Sequence, residues 1–201
     1  MSLLTLKDIC LENENELVNL NCDIMEKNFY VFYSNNDKTL DDFFDVLVYP
    51  EKIKFGEIKY HNLNIKNFDK NAYRKSIISV ISSSNNFIDY LSPIEFLNLF
   101  SIKDKNITEI LNVLKFPLDS YNSKISNLNR EQTNRLTLAK LLLKKSEIII
   151  IDRFFDDVLN NNNESELLDE IVKTIYFSNI AVIFLSKISA WDNDIFKVFN
   201  I

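Results

Sequence analysis

Two hydrophobic periods run through the chain, and their order predicts an α/β fold. Short apolar runs over residues 3–9, 17–24 and 28–33 read as strands, the last two separated by the turn-like Glu26-Lys27-Asn28. The polar stretch Ser34-Asn35-Asn36-Asp37 leads into a helix over 38–48 with Leu40, Phe43, Phe44 and Leu47 inward, stopped by Pro50. Residues 56–60 and 76–82 read as further strands. From about 87 to 125 the character changes: helical stretches over 92–100 and 106–114 are joined by polar turns and closed by Pro117. A helix over 129–145 with Leu136, Ala139, Leu142 and Leu143 on its core side then enters 147–152, an almost pure isoleucine strand of the kind buried on both faces. A helix over 164–177, a strand over 180–185 and a last short strand over 195–201 complete the pattern. There is no internal repeat and no flexible linker, so one compact unit is expected over 1–201.

Composition narrows the function. The 201 residues suit one α/β domain with a sizeable core. A net charge of −6 argues against a nucleic-acid partner, which needs a basic face. Lys140, Lys144 and Lys145 form a local basic patch, most simply a solvated helix end. Cys10 and Cys22 have no metal-ligand spacing and suggest no disulfide framework, so a reducing compartment is expected. No apolar run is long enough to cross a membrane, and the N-terminus has no secretory pattern. There is one glycine, Gly56, and one histidine, His61. Average usage would give about fourteen glycines at this length.

Residues 128–143, Leu-Asn-Arg-Glu-Gln-Thr-Asn-Arg-Leu-Thr-Leu-Ala-Lys-Leu-Leu-Leu, resemble the signature segment and helix of the ABC-transporter ATP-binding family, L-S-G-G-Q-x-Q-R-V-A-L-A-R-A-L-L. Leu128, Gln132, Arg135, Leu138, Ala139 and Leu142 fall in register. Asp152 ends the isoleucine strand 24 residues after Leu128, the family's spacing to its Walker B aspartate. Other segments follow in order. Ser34-Asn-Asn-Asp-Lys-Thr-Leu sits where the phosphate loop belongs, and Gly56-Glu-Ile resembles the family's G-E-I hairpin. Residues 78–82 resemble the strand before the Q-loop. Leu91-Ser-Pro-Ile-Glu resembles the start of the helical subdomain, and residues 182–187 resemble the strand before the switch histidine. The resemblance spans nearly the whole chain. It implies a P-loop NTPase-like ABC ATPase domain with a RecA-like mixed sheet core (1–82 and 126–201), an N-terminal antiparallel β part and a helical subdomain at about 83–125.

The resemblance also implies which residues would do chemistry, and most are replaced. A phosphate loop needs glycines for its φ > 0 turns and close backbone approach, then Lys and Ser/Thr for the phosphates and Mg²⁺. Lys38 and Thr39 survive, but the preceding glycines are Ser34, Asn36 and Asp37, and Asp37 sets a carboxylate beside the expected phosphates. Asparagine tolerates left-handed backbone, which leaves a loop of similar shape open. The glutamate that follows the Walker B aspartate is Arg153, a permanent cation that cannot accept a proton. The switch histidine position holds Lys187, the Q-loop position Ser82, and the D-loop aspartate position Leu159 or Asn160. The signature Ser-Gly-Gly is Asn129-Arg130-Glu131, followed by the matching Gln132.

Together these losses remove positioning, charge stabilisation and the water-polarising group. The expectation is a non-hydrolysing ABC-type subunit on the cytoplasmic face of a membrane. It would dock through about 83–125 on an integral membrane permease and pair with a second ABC ATPase subunit, itself or another. Thr39 and Asp152 would hold Mg²⁺ only if Mg-ATP binds. Rival expectations are a divergent ATPase relying on Lys38, Thr39 and Asp152, and a cytosolic regulator without a permease. Elsewhere the bland reading leads. Asp41, Asp42 and Asp45, and Glu164, Glu166, Asp169 and Glu170, read as solvated helix faces. His61 reads as a surface strand residue. Phe154 and Phe155 read as core or as an apolar dimer contact.

Overall fold

A computed structural model of the chain describes residues 2–13, 16–82, 87–100, 106–156, 165–176, 179–189, 191 and 194–201. Its strands are β1 (Ser2–Asn13), β2 (Glu16–Met25), β3 (Phe29–Tyr33), β4 (Glu57–Tyr60), β5 (Leu63–Asn64), β6 (Ile78–Ser82), β7 (Ile148–Asp152), β8 (Ala181–Ser186) and β9 (Phe196–Asn200). Its α-helices are α1 (Asp37–Val48), α2 (Lys70–Ala72), α3 (Pro93–Asn98), α4 (Ile107–Val113), α5 (Arg130–Leu143) and α6 (Ser165–Tyr176).

The strands form two sheets. An antiparallel sheet has the order β2-β1-β4-β5, and a five-stranded sheet, parallel throughout, has the order β6-β7-β8-β3-β9. In the parallel sheet each buried strand divides its side chains by alternation between two cores, as the period of two requires. Ile148, Ile150, Ala181, Ile183, Leu185, Tyr30 and Phe32 face the core shared with α1 and the antiparallel sheet. Ile149, Ile151, Val182, Phe184, Phe29 and Val31 face the core shared with α3 to α6. This explains the unbroken isoleucine run of β7: both faces are covered.

The helical stretch after β6 is not a separate body. Phe96, Leu97, Leu111, Leu114, Phe116, Tyr121 and Ile125 share one core with β7 and β8. Ser92 and Glu95 make a reciprocal capping box at the start of α3, and Asn106 caps α4. Both helices are two to three residues shorter than their sequence pattern.

Two local features depart from the expected elements. The strand expected over 76–82 begins only at Ile78. Residues Tyr73–Ile77 continue α2 as a π turn, with Asp69 capping its start. Lys144 Nζ donates to the carbonyls of Arg74 (3.1 Å) and Ile78 (2.7 Å), which satisfies groups the turn leaves open. The single glycine has a steric cause. At Gly56 φ is +83°, and a Cβ there would lie 2.3 Å from the Asp8 carbonyl oxygen and 2.5 Å from that of Lys7. That contact falls where the β1–β2 register shifts, and Asp8 itself has φ of 53°.

Candidate functional site

Three residues, Ser34 to Asn36, join β3 to α1. Ser34 is buried; its N–H donates to Ser186 O (3.1 Å) and its Oγ accepts from Asn36 N (3.3 Å). Asn36 is the N-cap of α1, and its Oδ1 accepts from Lys38 N at 2.9 Å. None of residues 34–39 has a positive φ. A phosphate nest needs successive N–H groups opened by alternating right- and left-handed residues, and this loop has no such turn. Left-handed asparagine, which would have kept a loop of similar shape, does not occur here.

The surviving Lys38 and Thr39 turn toward the antiparallel sheet. Lys38 Nζ pairs with Glu12 Oε2 at 2.5 Å, and the buried Thr39 donates its hydroxyl to Glu12 O at 2.7 Å. Their mutual hydrogen bond holds the Glu12 carboxyl below its ordinary range and the Lys38 ammonium above its own.

Across the loop, the strand ends carry a closed charge network. Asp152 is the buried last residue of β7, in register with Ser82 of β6. Arg153 follows with φ of 50°, its N–H donating to Leu185 O at 2.8 Å. Its guanidinium donates to Asp152 through Nε (2.9 Å) and Nη2 (3.0 Å), to Asp41 through Nη2 (2.5 Å) and to Asp37 through Nη1 (3.4 Å). Lys187 Nζ donates to the other Asp37 oxygen at 2.9 Å. Asp156 accepts from Ser186 Oγ (2.6 Å) and Lys187 N (2.9 Å), fixing the end of β8. Burial pushes the Asp152 carboxyl up, against the pull of Arg153. Burial also works against charge on Arg153, but Asp152 and Asp41 outweigh it and keep the guanidinium more firmly protonated than usual. The Lys187 hydrogen bond, with help from Arg153, holds Asp37 below its ordinary value. Beside this network lies a cleft of about 320 Å³ lined by Asp41, Asp42, Phe44, Asp45, Ser82, Asp152 and Arg153.

The signature segment lies apart, at the start of α5. Asn129 and Gln132 form a reciprocal capping box with both bonds at 2.9 Å, and Gln132 Nε2 also donates to Ser120 Oγ. Leu128 packs on the core from a half-buried position, and Arg130 is exposed. Glu131 pairs with Arg135 one turn on (2.9 Å), so the first turn of this helix holds its own carboxylate.

Several expectations are corrected. Glu170 is not on a solvated face: it is buried and pairs with Arg135 (2.7 Å) and Lys115 (2.7 Å), because α5 and the turn after α4 bring those cations onto α6. Lys140 and Lys144 are not a solvated patch either. Lys140 lies 4.6 Å from the Phe100 ring centroid, and Lys144 serves the carbonyls named above. Asp41 and Asp45 are paired, with Arg153 and Lys52 respectively, so the first acidic cluster is more than a solvated face. Phe154 and Phe155 are core residues, Phe155 meeting Phe184 in a tilted ring contact at 5.9 Å between centroids. His61 sits in the turn after β4 rather than in the strand, 3.4 Å from Glu147, which also accepts from Tyr60. Leu159, Asn160 and Glu164 lie outside the described residues. Asp156 was not singled out from sequence; the first of two aspartates after two phenylalanines carries no motif that would mark it. No group of three or more His, Cys, Asp or Glu among the described residues is placed to hold a metal ion.

No protein-family model matches the sequence, and no curated protein matches it significantly. Solved structures do resemble the chain. A Pyrococcus furiosus protein described as an ABC transporter ATP-binding protein matches with a TM-score of 0.74 and 18% identity, over 97% of this chain and 96% of that one. The ABC transporter cassette MJ0796, described as dimeric, matches at 0.72 and 16%, over 98% and 94%. CbiO1 of Clostridium perfringens, described as part of the ABC transporter complex cbiONQ, matches at 0.75 and 15%, over 98% and 84%. The chain therefore has the fold of the ABC-transporter ATP-binding domain, a parallel α/β core with an antiparallel β part.

Proposed function

We propose that this chain is a non-hydrolysing ABC-type subunit that assembles, as one domain over 1–201, with a membrane transporter subunit in a structural or regulatory role. The observation that carries the reading is the ion-pair network at the strand ends. Arg153 and Lys187 stand where the resemblance expects a water-polarising glutamate and a switch histidine, and both are engaged with Asp37, Asp41 or Asp152. The residues present do not fit Mg-ATP. Lys38 and Thr39 point to Glu12, Asn36 takes a loop N–H, and the Asp37 and Asp41 carboxylates would repel a triphosphate. No catalytic step is assigned to this site. One solved relative of the fold, MJ0796, is described with ADP and phosphate bound, and nucleotide binding by this chain is the alternative that the tests below address.

The partner side of the reading rests on two supports. CbiO1 is described as part of a transporter complex and MJ0796 as dimeric, which favours a permease and a second ABC ATPase subunit as partners. The helical stretch leaves Tyr90, Leu99, Phe100, Val113 and Leu118 exposed, an apolar surface suited to another protein. Among the described residues no helix is long and apolar enough to cross a membrane, so a peripheral position on the cytoplasmic face follows from docking. The test is affinity purification of the tagged chain from detergent-solubilised native membranes, with mass spectrometry of the co-purifying chains. A multi-pass membrane protein is expected, and recovery of soluble partners alone overturns the assembly. ATP hydrolysis by the purified chain that Asp152→Asn abolishes would overturn the non-hydrolysing reading.

A further inference from the structure

Three substitutions that look like separate losses in the sequence meet in space. Asp37 replaces a loop glycine, Arg153 a glutamate and Lys187 a histidine of the resembling family. In the structure the two cations close on the two oxygens of one carboxylate, Lys187 on Oδ2 at 2.9 Å and Arg153 on Oδ1 at 3.4 Å. We propose that Arg153 and Lys187 form an oxyanion-binding site whose resident ligand is the chain's own Asp37 carboxylate. The proposal deepens the reading above and rests on it in one respect: no nucleotide phosphate competes for the two cations.

The backbone that carries the two cations is anchored before any anion arrives. The Arg153 N–H is fixed to Leu185 O, the Lys187 N–H to Asp156, and Ser186 to Ser34 across the β3–β8 pair. Asp152 and Asp41 also hold the Arg153 guanidinium, so on that side less order has to be imposed when an anion binds. Asp37 is the first residue of the twelve-residue helix α1, so the helix start also favours its negative charge. The carboxylate is open to solvent, with the Asp37 side chain 59% exposed, and a small oxyanion reaches the same place once it is removed. Charge sets the selectivity. Arg153 and Lys187 face Asp37, Asp41 and Asp152, an excess of carboxylate that turns away added anions. Without Asp37 the carboxylates paired with the two cations fall from three to two, Asp156 remaining beside the Lys187 backbone, and the two cation arms that held Asp37 are vacant.

The experiment is chemical rescue of thermal stability in the full chain, with inorganic phosphate as probe and sodium chloride at equal ionic strength as reference. In Asp37→Ala, phosphate at about 20 mM is expected to raise the melting temperature by about 3 °C, the response of a site filled roughly tenfold over its dissociation constant. The unsubstituted chain is expected to show no shift, and Asp37→Ala/Arg153→Ala/Lys187→Ala none. Equal responses in the unsubstituted chain and Asp37→Ala overturn the proposal, as does no response in Asp37→Ala or one that survives loss of both cations. Asp37→Asn, which keeps the side-chain shape and removes the charge, runs in parallel with the same expectation and decides the matter if the alanine variant does not fold. ATP hydrolysis or absence from membranes would sink the proposed function while leaving this result standing, and a failed rescue would leave the proposed function untouched.

Discussion

Arg135 on α5 and Glu170 on α6 meet at 2.7 Å with each side chain only 9% exposed, and the size of their coupling can be worked from what surrounds them. Arg135 also reaches the Leu114 carbonyl and Glu131, while Lys115 lies 2.7 Å from Glu170. Breaking a buried pair by removing one partner costs about 3–5 kcal/mol, because the other charge stays buried. Arg135 keeps Glu131 when Glu170 goes, but Glu131 is 57% exposed and offsets about 1 kcal/mol at most. Arg135→Met and Glu170→Leu are therefore each expected to cost about 3 kcal/mol, or about 6–12 °C in melting temperature at this chain length. The double variant removes both charges and fills the space with apolar atoms, which is often neutral or better, so it is expected within about 1 kcal/mol of the unsubstituted chain. Urea unfolding of the four chains, with slopes checked for constancy, measures the cycle. If the two single costs add to within about 0.5 kcal/mol, the pair is not coupled and the argument fails. What is at stake is a joint: Leu114 and Lys115 belong to the helical stretch proposed to meet the permease, and α6 belongs to the parallel core.

Two further outcomes follow from the same geometry. Gly56→Ala combines a left-handed backbone with a Cβ 2.3 Å from a carbonyl oxygen, so a loss of about 4 kcal/mol is expected by urea unfolding, and a loss under about 1 kcal/mol would contradict the contact. Asp37 titrates below its ordinary value of 3.8 in the folded chain, so its contribution to stability is present above that value and is lost as pH falls through the folded pKa. In Lys187→Ala the Asp37 carboxyl resonance should titrate back toward 3.8, and an unchanged NMR titration would mean that Lys187 does not hold it.

Most of the fold was legible because its signals are local. The isoleucine strand, the helix over 129–145 and the β3 and β8 runs are set by burial on both faces or by one apolar stripe, and each falls within a few residues of its sequence pattern. The π turn at 73–77 was not legible. It depends on Lys144, about seventy residues downstream, reaching back to two carbonyls, and no window around the turn contains that information. Glu170 was misread for a similar reason. Its neighbours in sequence are those of an amphipathic helix, while its partners Arg135 and Lys115 come from other elements.

At the site, residue identities were legible and their relations were not. Position by position, Asp37, Arg153 and Lys187 each remove something that nucleotide chemistry needs, and a sequence read singly counts three defects. The bonds between them cross 116 and 150 residues of chain, so only the folded structure can display that each supplies the charge another requires. Unrelated losses would leave buried or half-buried charges without partners, at a cost the fold would have to absorb. Instead the loop is capped by Asn36, the two cations share Asp37, and Asp152 has a partner in Arg153. On the proposed reading, the physical content of the substitutions is an exchange of an exogenous anion for an endogenous one. An exchange of that kind holds α1 against the ends of β7 and β8 at all times, where a bound phosphate would hold it only when present.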